Sequence, residues 1–202
     1  MILLNRRRIM GEHESLPYDA EVQYLQGDGV AYINTGIKPA RTVQIKIHVV
    51  DYFNTSYGGK WLFGGRVSSS NGQFGFFING NNYNVYIAWS ANQYAFNHCT
   101  TYPSECDIEM KLNQVKIGNT THTFSGSSFT GTQPIHIFGL NNNGSNISNG
   151  DYKIGASYIT DGTTTLDLIP VRKNGVGYMY DKLSGELLGT PVGAFTIGPD
   201  KT

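Results

Sequence analysis

Apolar and polar residues alternate along short stretches of the chain, which is the pattern of a β-strand with one buried face. The clearest stretch is 43–49, where Val43, Ile45, Ile47 and Val49 alternate with polar residues. Further strands are predicted at 61–63, 74–78, 83–89, 108–112, 114–117, 135–138, 152–159, 165–171 and 178–180. No window keeps the apolar spacing of an amphipathic helix over three turns. The pattern therefore predicts an all-β chain.

Glycine and asparagine mark the connections between these strands. Asp161-Gly162 between two apolar runs predicts a hairpin, and Asn79-Gly80 and residues 141–144 predict further turns, because these residue types accept positive φ at little cost. Antiparallel strands without helical crossovers build a sandwich or a barrel. Two stacked sheets suit a chain of 202 residues, so we predict a two-sheet antiparallel β-sandwich.

The charge balance and the short apolar runs exclude two classes of partner. Lys and Arg total 15, as do Asp and Glu, so no net charge attracts the chain to nucleic acid. The apolar runs are far shorter than the ~20 residues that span a bilayer. We expect neither nucleic-acid binding nor a membrane span.

Residues 1–20 lack the periodicity of a strand or a helix and contain the basic triplet Arg6, Arg7 and Arg8. The apolar residues before the triplet do not form the core of a signal peptide, so no secretion signal is predicted. We interpret 1–20 as an arm that docks on a partner or a neighbouring subunit, and 21–202 as one domain. The alternative is a frayed tail with solvated arginines.

Two cysteines, Cys99 and Cys106, bracket a loop that contains Pro103. The loop could close as a disulfide in an oxidising compartment. Because no export signal is predicted, two free thiols are the expected state.

Several segments carry a family resemblance: 21–25, 31–37, Leu62-Phe63-Gly64-Gly65-Arg66, 168–186 and 193–200. Together they resemble the concanavalin A-like, laminin-G-like jelly-roll domains found in gut-bacterial proteins and their phages, over roughly residues 21–200. The resemblance implies a jelly-roll topology. It does not choose a function, because that superfamily includes lectins, adhesion modules, glycoside hydrolases and structural decorations of larger assemblies.

One acidic row is a catalytic candidate. Glu105, Asp107 and Glu109 stand at i, i+2 and i+4 and would project from one face of a strand. Retaining glycosidases of the jelly-roll class use such a row, with one Glu as nucleophile, the Asp tuning it and the other Glu as acid. Residues 110–117, however, predict a hairpin at a sheet edge with its polar face in water. We therefore expect a coincidental row and no enzyme.

Sugar binding requires an exposed aromatic face beside planar polar side chains. The candidate ligand-binding residues are Tyr86, Asn84, Trp89, Arg66 and Asn142. Alternation places Trp89 on the face of Val85 and Ile87, which favours the core for Trp89 and exposure for Tyr86.

No metal or cofactor motif is present. The five histidines do not pair at zinc-ligand spacing, and no Asp-x-Asp-x-Asp-Gly loop occurs. We expect no cofactor, although calcium stays open because scattered Asp, Asn and carbonyl ligands leave no motif.

We therefore expect a non-catalytic jelly-roll module that decorates or assembles a larger particle, a phage virion first of all, with residues 1–20 contacting other particle proteins. The absent secretion signal, the arm and the family resemblance motivate this hypothesis. The alternative is a carbohydrate-binding lectin or adhesin of a bacterial surface. A jelly-roll glycoside hydrolase acting through the acidic row ranks third.

Overall fold

The computed structural model describes residues 16–51 and 59–202. These residues form two β-sheets and contain no α-helix; one 3-10 turn, Cys99–Thr101, is the helical element among them. The predicted all-β class is confirmed. The basic triplet Arg6, Arg7 and Arg8 lies outside the described residues.

Nineteen strands are present in the described ranges, many of them two or three residues long. In chain order they are β1 (Ala20–Glu21), β2 (Leu25–Gln26), β3 (Ile33–Asn34), β4 (Gln44–Asp51), β5 (Trp61–Arg66), β6 (Gln73–Ile78), β7 (Asn84–Ser90), β8 (Asn92–His98), β9 (Cys106–Lys111), β10 (Gln114–Ile117), β11 (Thr120–Thr123), β12 (His136–Ile137), β13 (Leu140–Asn142), β14 (Ser145–Ile147), β15 (Lys153–Thr160), β16 (Thr165–Lys173), β17 (Val176–Asp181), β18 (Leu187–Leu188) and β19 (Thr196–Ile197).

The larger sheet has the order β11-β10-β9-β4-β15-β16-β17-β18, with β1 beside β16, β2 beside β15 and β19 beside β2. The smaller sheet has the order β14-β13-β5-β6-β7-β8, with β12 beside β5 and β3 beside β12. Neighbouring strands are antiparallel apart from β13, which runs parallel to β5. The predicted two-sheet antiparallel sandwich is confirmed, whereas the jelly-roll topology stays a prediction.

The core fills the space between the sheets with side chains that alternate along the strands. The fully buried members include Ile45, Ile47, Val49, Ile108 and Met110 from the larger sheet and Phe63, Phe74, Phe76, Ile87 and Trp89 from the smaller one. Burying each such side chain stabilises the fold by roughly 1.5–3 kcal/mol. The outward residues of the same strands form the two outer faces on which candidate sites can lie.

Nine of the nineteen strands were not predicted; seven of these are two or three residues long, and the other two, β8 and β11, have few inward apolar residues. Strand β8 turns Tyr94 and Phe96 toward the core and leaves the alternate residues Gln93, Ala95 and Asn97 exposed. Strand β11 pairs with β10 and adds an edge beyond it. The acidic row therefore does not lie at a sheet edge as predicted, because β9 is enclosed between β10 and β4.

The asparagine-rich region forms a hairpin and not merely a turn. Asn143 and Gly144 adopt φ of 50° and 88°, which these residue types tolerate. On either side of them, β13 and β14 pair from Asn142 opposite Ser145 to Leu140 opposite Ile147.

The beginning and the end of the domain are joined to each other, because the last strand pairs with β2. Leu25 lies opposite Ile197 between β2 and β19, and Val22 forms an antiparallel bridge with Asp200. Backbone hydrogen bonds continue this pairing as far as Lys201, whose N–H donates to Glu21 over 2.9 Å. Both ends of the domain therefore lie together on the larger sheet.

Candidate functional site

The acidic row lies on the outer face of the larger sheet. Asp107 and Glu109 belong to β9, whose alternate residues Ile108 and Met110 are fully buried in the core. Glu105 precedes this strand and is exposed. As the i, i+2, i+4 spacing predicted, the strand directs these carboxylates away from the core.

Basic side chains of the neighbouring strand and of β9 itself contact this row. Asp107 contacts Lys46 Nζ through Oδ2 at 2.7 Å and His48 Nδ1 through Oδ1 at 3.0 Å. His48 Nε2 also lies 3.4 Å from Glu105 Oε1. Glu109 Oε1 lies 2.7 Å from Lys111 Nζ. Register explains the contacts between strands, because His48 lies directly opposite Asp107, while Lys46 lies opposite Glu109 and reaches Asp107 diagonally.

The contacts of Asp107 stabilise its charged form. Partial burial disfavours the charge of Asp107, but hydrogen bonds from Lys46 and His48 outweigh it and lower the pKa of this carboxyl. The same hydrogen bond raises the pKa of Lys46. Asp107 and Glu109 are therefore members of an ion-pair ladder on this outer face.

Trp89 does not belong to a surface site. Its side chain is fully buried, and the indole N–H donates to the carbonyl of Ser127 over 3.0 Å. Phe74 and Phe124 pack against the ring with centroids 5.7 and 5.3 Å away. The prediction that Trp89 binds a ligand is wrong, and the alternation that favoured its place in the core is confirmed.

Three other predicted ligand residues lie on one surface, the outer face of the smaller sheet: Tyr86, Arg66 and Asn142. Two rings that were not predicted join them, because β5, β6 and β7 align Trp61 with Phe77 and Phe77 with Tyr86. We call this surface the aromatic strip; it consists of Tyr86, Phe77, Trp61, Arg66 and Asn142. Asn84, two residues before Tyr86 on β7, shares its face and is half-buried.

The aromatic strip is a continuous row of contacts. The ring centroids of Tyr86 and Phe77 are 5.2 Å apart and those of Phe77 and Trp61 are 4.4 Å apart. The Arg66 guanidinium lies 5.5 Å from the Trp61 ring centroid, and its Nε donates to Asn142 Oδ1 over 2.8 Å. Arginine stacked on tryptophan is a favourable cation–π arrangement.

The rings in the middle of the strip are covered by their neighbours. Trp61 is 5% exposed and Phe77 is 7% exposed. The Trp61 ring rests on glycines, since a Cβ on Gly64 or on Gly75 would come within 2.6 Å of it. Arg66 covers it from another side, and partial burial lowers the pKa of this guanidinium. A ligand would therefore meet Tyr86 and the Arg66–Asn142 pair.

Residues 18–21, the junction between the predicted arm and the domain, are tied firmly to the larger sheet. Tyr18 is 9% exposed and packs edge-on against Tyr180 with centroids 5.0 Å apart. The Asp19 carboxylate accepts from the Asn174 N–H over 2.7 Å, and β1 pairs Ala20 with Arg172. The described chain before this anchor begins at Leu16, which is 65% exposed.

The remaining candidate chemistry gives no further site. Cys99 and Cys106 are buried free thiols, as the sequence favoured, and burial raises the pKa of Cys106 to about 11. In residues 16–51 and 59–202, no group of three His, Cys, Asp or Glu side chains could hold a metal ion. Within the same ranges, no helix is long and apolar enough to cross a membrane.

Neither models of known protein families nor curated proteins gave a match to this chain. The resemblance to concanavalin A-like domains therefore stays a prediction.

Proposed function

We propose that this chain is a non-catalytic β-sandwich module that attaches to a larger particle through residues 1–15. The resemblance to domains of gut-bacterial phages favours a virion as that particle. The observation that carries the proposal is the anchor at Tyr18, Asp19 and Ala20. It couples residues 1–15 to the domain at one fixed place on the larger sheet.

A frayed tail would not require the contacts that this anchor makes. A tail that only solvates its arginines has no need of a buried tyrosine, a carboxylate bond and a strand pair at its base. Here Tyr18, Asp19 and Ala20 each make a separate contact, with Tyr180, Asn174 and Arg172. Together these contacts would hold the domain in a defined orientation when residues 1–15 are bound.

The acidic row supports the non-catalytic part of the proposal. Asp107 is bound by Lys46 and His48, and Glu109 is bound by Lys111. A carboxylate that is already ion-paired is poorly suited to attack a sugar as a nucleophile or to donate a proton to a glycosidic oxygen.

The test replaces residues 2–15 by a Gly/Ser segment of equal length and keeps the anchor intact. The chain's abundance in particles purified from the producing cells is measured for this variant, for wild type, and for a variant with Arg6, Arg7 and Arg8 changed to Ala. We expect the full replacement to abolish incorporation. Thermal unfolding of the purified variants controls for folding, and unchanged incorporation of a folded variant would refute the proposal.

A second candidate function is glycan binding, favoured by the aromatic strip, which has Tyr86 at one end and the Arg66–Asn142 pair at the other. The accessible tyrosine offers a stacking face and the Arg66–Asn142 pair offers polar partners for hydroxyl groups. A glycan array tests it with wild type, Tyr86→Ala and the matched control Tyr158→Ala, which alters an exposed tyrosine on the other sheet. Loss of signal in Tyr86→Ala alone supports this function, and no glycan signal for wild type refutes it.

A further inference from the structure

Arg66, at one end of the aromatic strip, carries a positive charge that no acidic side chain of the described ranges balances. Elsewhere in the molecule Arg172 shows the paired arrangement, with Nη2 lying 2.9 Å from a carboxylate oxygen of Asp200. Within residues 16–51 and 59–202, no Asp or Glu forms such a pair with Arg66. A carboxylate beside the guanidinium would raise the pKa of Arg66, whereas partial burial lowers it. The charge is therefore partly desolvated and lacks a counter-ion in the described part of the chain.

The Arg66 side chain is held in a defined place. Its Nε donates to Asn142 Oδ1 over 2.8 Å, and its guanidinium lies 5.5 Å from the centroid of the Trp61 ring. The carbonyl of Arg66 accepts from the N–H of Asn143 over 2.9 Å, which fixes the backbone at the base of the side chain. Nε makes the one side-chain hydrogen bond of Arg66 to a described residue. The two Nη nitrogens thus form an oriented pair of donors at the surface.

A carboxylate matches these two nitrogens in shape and in charge. The two oxygens of a carboxylate accept from a guanidinium in parallel, which is the bidentate arrangement that arginine favours. The single negative charge of a carboxylate balances the single positive charge of Arg66. A phosphate monoester carries about −1.5 to −2 charges at pH 7, so it would leave uncompensated charge in a partly buried place. The favoured ligand group is therefore a carboxylate.

The other end of the aromatic strip indicates what this carboxylate is attached to. The half-buried ring of Tyr86 stacks on Phe77, and its hydroxyl lies 3.5 Å from Asn82 Nδ2. Strand β6 separates β7, which holds Tyr86, from β5, which holds Arg66, so the two ends are about 10 Å apart across the sheet. A chain of sugar rings can stack a C–H face on Tyr86 while its hydroxyl groups stay in water. A peptide would instead place backbone N–H and C=O groups against rings that offer them no partner.

We propose that Arg66 binds the carboxylate of an acidic sugar residue in an oligosaccharide that also contacts Tyr86. The inference rests on the glycan-binding function proposed above and names its ligand class, a carboxylated glycan. Arg66 determines the specificity, because it is the one charged member of the aromatic strip. Tyr86 supplies contact area that acidic and neutral sugars share, so it adds affinity without selecting between them.

The experiment compares carboxylated oligosaccharides with their carboxyl-reduced counterparts, which keep the same rings and linkages. Uronic-acid and sialic-acid glycans are both included, and binding to the purified full chain is measured. We expect wild type to bind the carboxylated member of a pair about ten- to a hundredfold more tightly, as for a hydrogen bond to a charged group. Arg66→Gln should abolish this preference. The matched control Arg41→Gln removes the charge of an exposed arginine that bonds to Ser128, and it should keep the preference.

A second variant supplies the carboxylate from within the chain. Asn142→Asp has the shape of the native residue, so its carboxylate would lie where Asn142 Oδ1 now accepts from Arg66. We expect Asn142→Asp to bind carboxylated glycans about tenfold more weakly or worse, and carboxyl-reduced glycans as wild type does. Its thermal stability should not fall, because an ion pair replaces a hydrogen bond to a neutral amide. This variant separates the loss of the available charge from a loss of folding.

The outcomes separate this inference from the function on which it rests. Equal binding of carboxylated and carboxyl-reduced glycans by wild type would overturn the inference and leave glycan binding intact. Tighter binding of sulfated glycans or of poly-glutamate would also overturn it, because the ligand would then be another anion or an acidic peptide. A wild type that binds no glycan would refute the glycan-binding function and the inference together.

Discussion

The anchor at Tyr18 yields a prediction that can be worked out from its contacts. Tyr18→Ala removes a ring that is 9% exposed, whose burial contributes roughly 1.5–3 kcal/mol. It also removes the edge-on contact with Tyr180, worth about 0.5–1.5 kcal/mol. The ring lies on the outer face of the sheet, where its neighbours can relax, so we expect the free energy of unfolding to fall by about 3 kcal/mol.

Urea unfolding of the full chain measures this change, and Tyr18→Phe is the matched control. The Tyr18 hydroxyl donates to Glu21 Oε1 over 3.2 Å in a partly buried place, so Tyr18→Phe should lower the free energy of unfolding by about 1 kcal/mol or less. If Tyr18→Ala proved as stable as Tyr18→Phe, the ring would not anchor the chain. The coupling of residues 1–15 to the domain would then lose its physical basis.

Three further predictions concern the interior. Asp181 is 1% exposed, and although burial disfavours its charge, hydrogen bonds from the Ser184 hydroxyl and three backbone N–H groups lower its pKa. The stability that the charged Asp181 contributes to the fold is therefore present above the ordinary carboxyl pKa and is lost as pH falls through the lowered pKa. Asp181→Asn should lower the free energy of unfolding by about 1–3 kcal/mol at pH 7 and by less in acid. An unchanged pH profile of unfolding in Asp181→Asn would contradict this. Gly75→Ala places a methyl group 2.6 Å from Trp61 and should destabilise the fold by about 1–3 kcal/mol with a shift in tryptophan fluorescence; an unshifted spectrum would argue against the close contact. Cys106, whose pKa burial raises to about 11, should react with a thiol reagent only as fast as the chain unfolds, and rapid reaction in the native state would show an accessible thiolate.

The sequence predicted those parts of the fold that depend on local pattern. The alternation at 43–49 identifies β4, and Asn174-Gly175 could have been found as a two-residue turn from its residue types alone. Strand β8 was not predicted because Tyr94 and Phe96 alternate with exposed residues in an edge strand, where the pattern of apolar residues is weak.

The candidate sites depended on strand register, which one sequence does not contain. The spacing of Asp107 and Glu109 correctly placed them on one face, but Lys46 and His48 contact Asp107 from β4, whose pairing with β9 follows no local signal. Trp61 likewise meets Phe77 only because β5 and β6 align them. The missing information in both cases was which strand lies beside which, and at what offset.

The antiparallel pairing of Val22 with Asp200 and of Leu25 with Ile197 has a mechanical consequence. A pull applied between the two ends of the domain is borne by this short row of backbone hydrogen bonds together with the pairing of β1 with β16. Proximity of the ends also means that the domain could be spliced into a loop of another protein, or circularly permuted, with little lengthening of the host chain. A chain joined to either end of the domain thus attaches at the same place on the larger sheet, and tension along that chain need not unfold the domain.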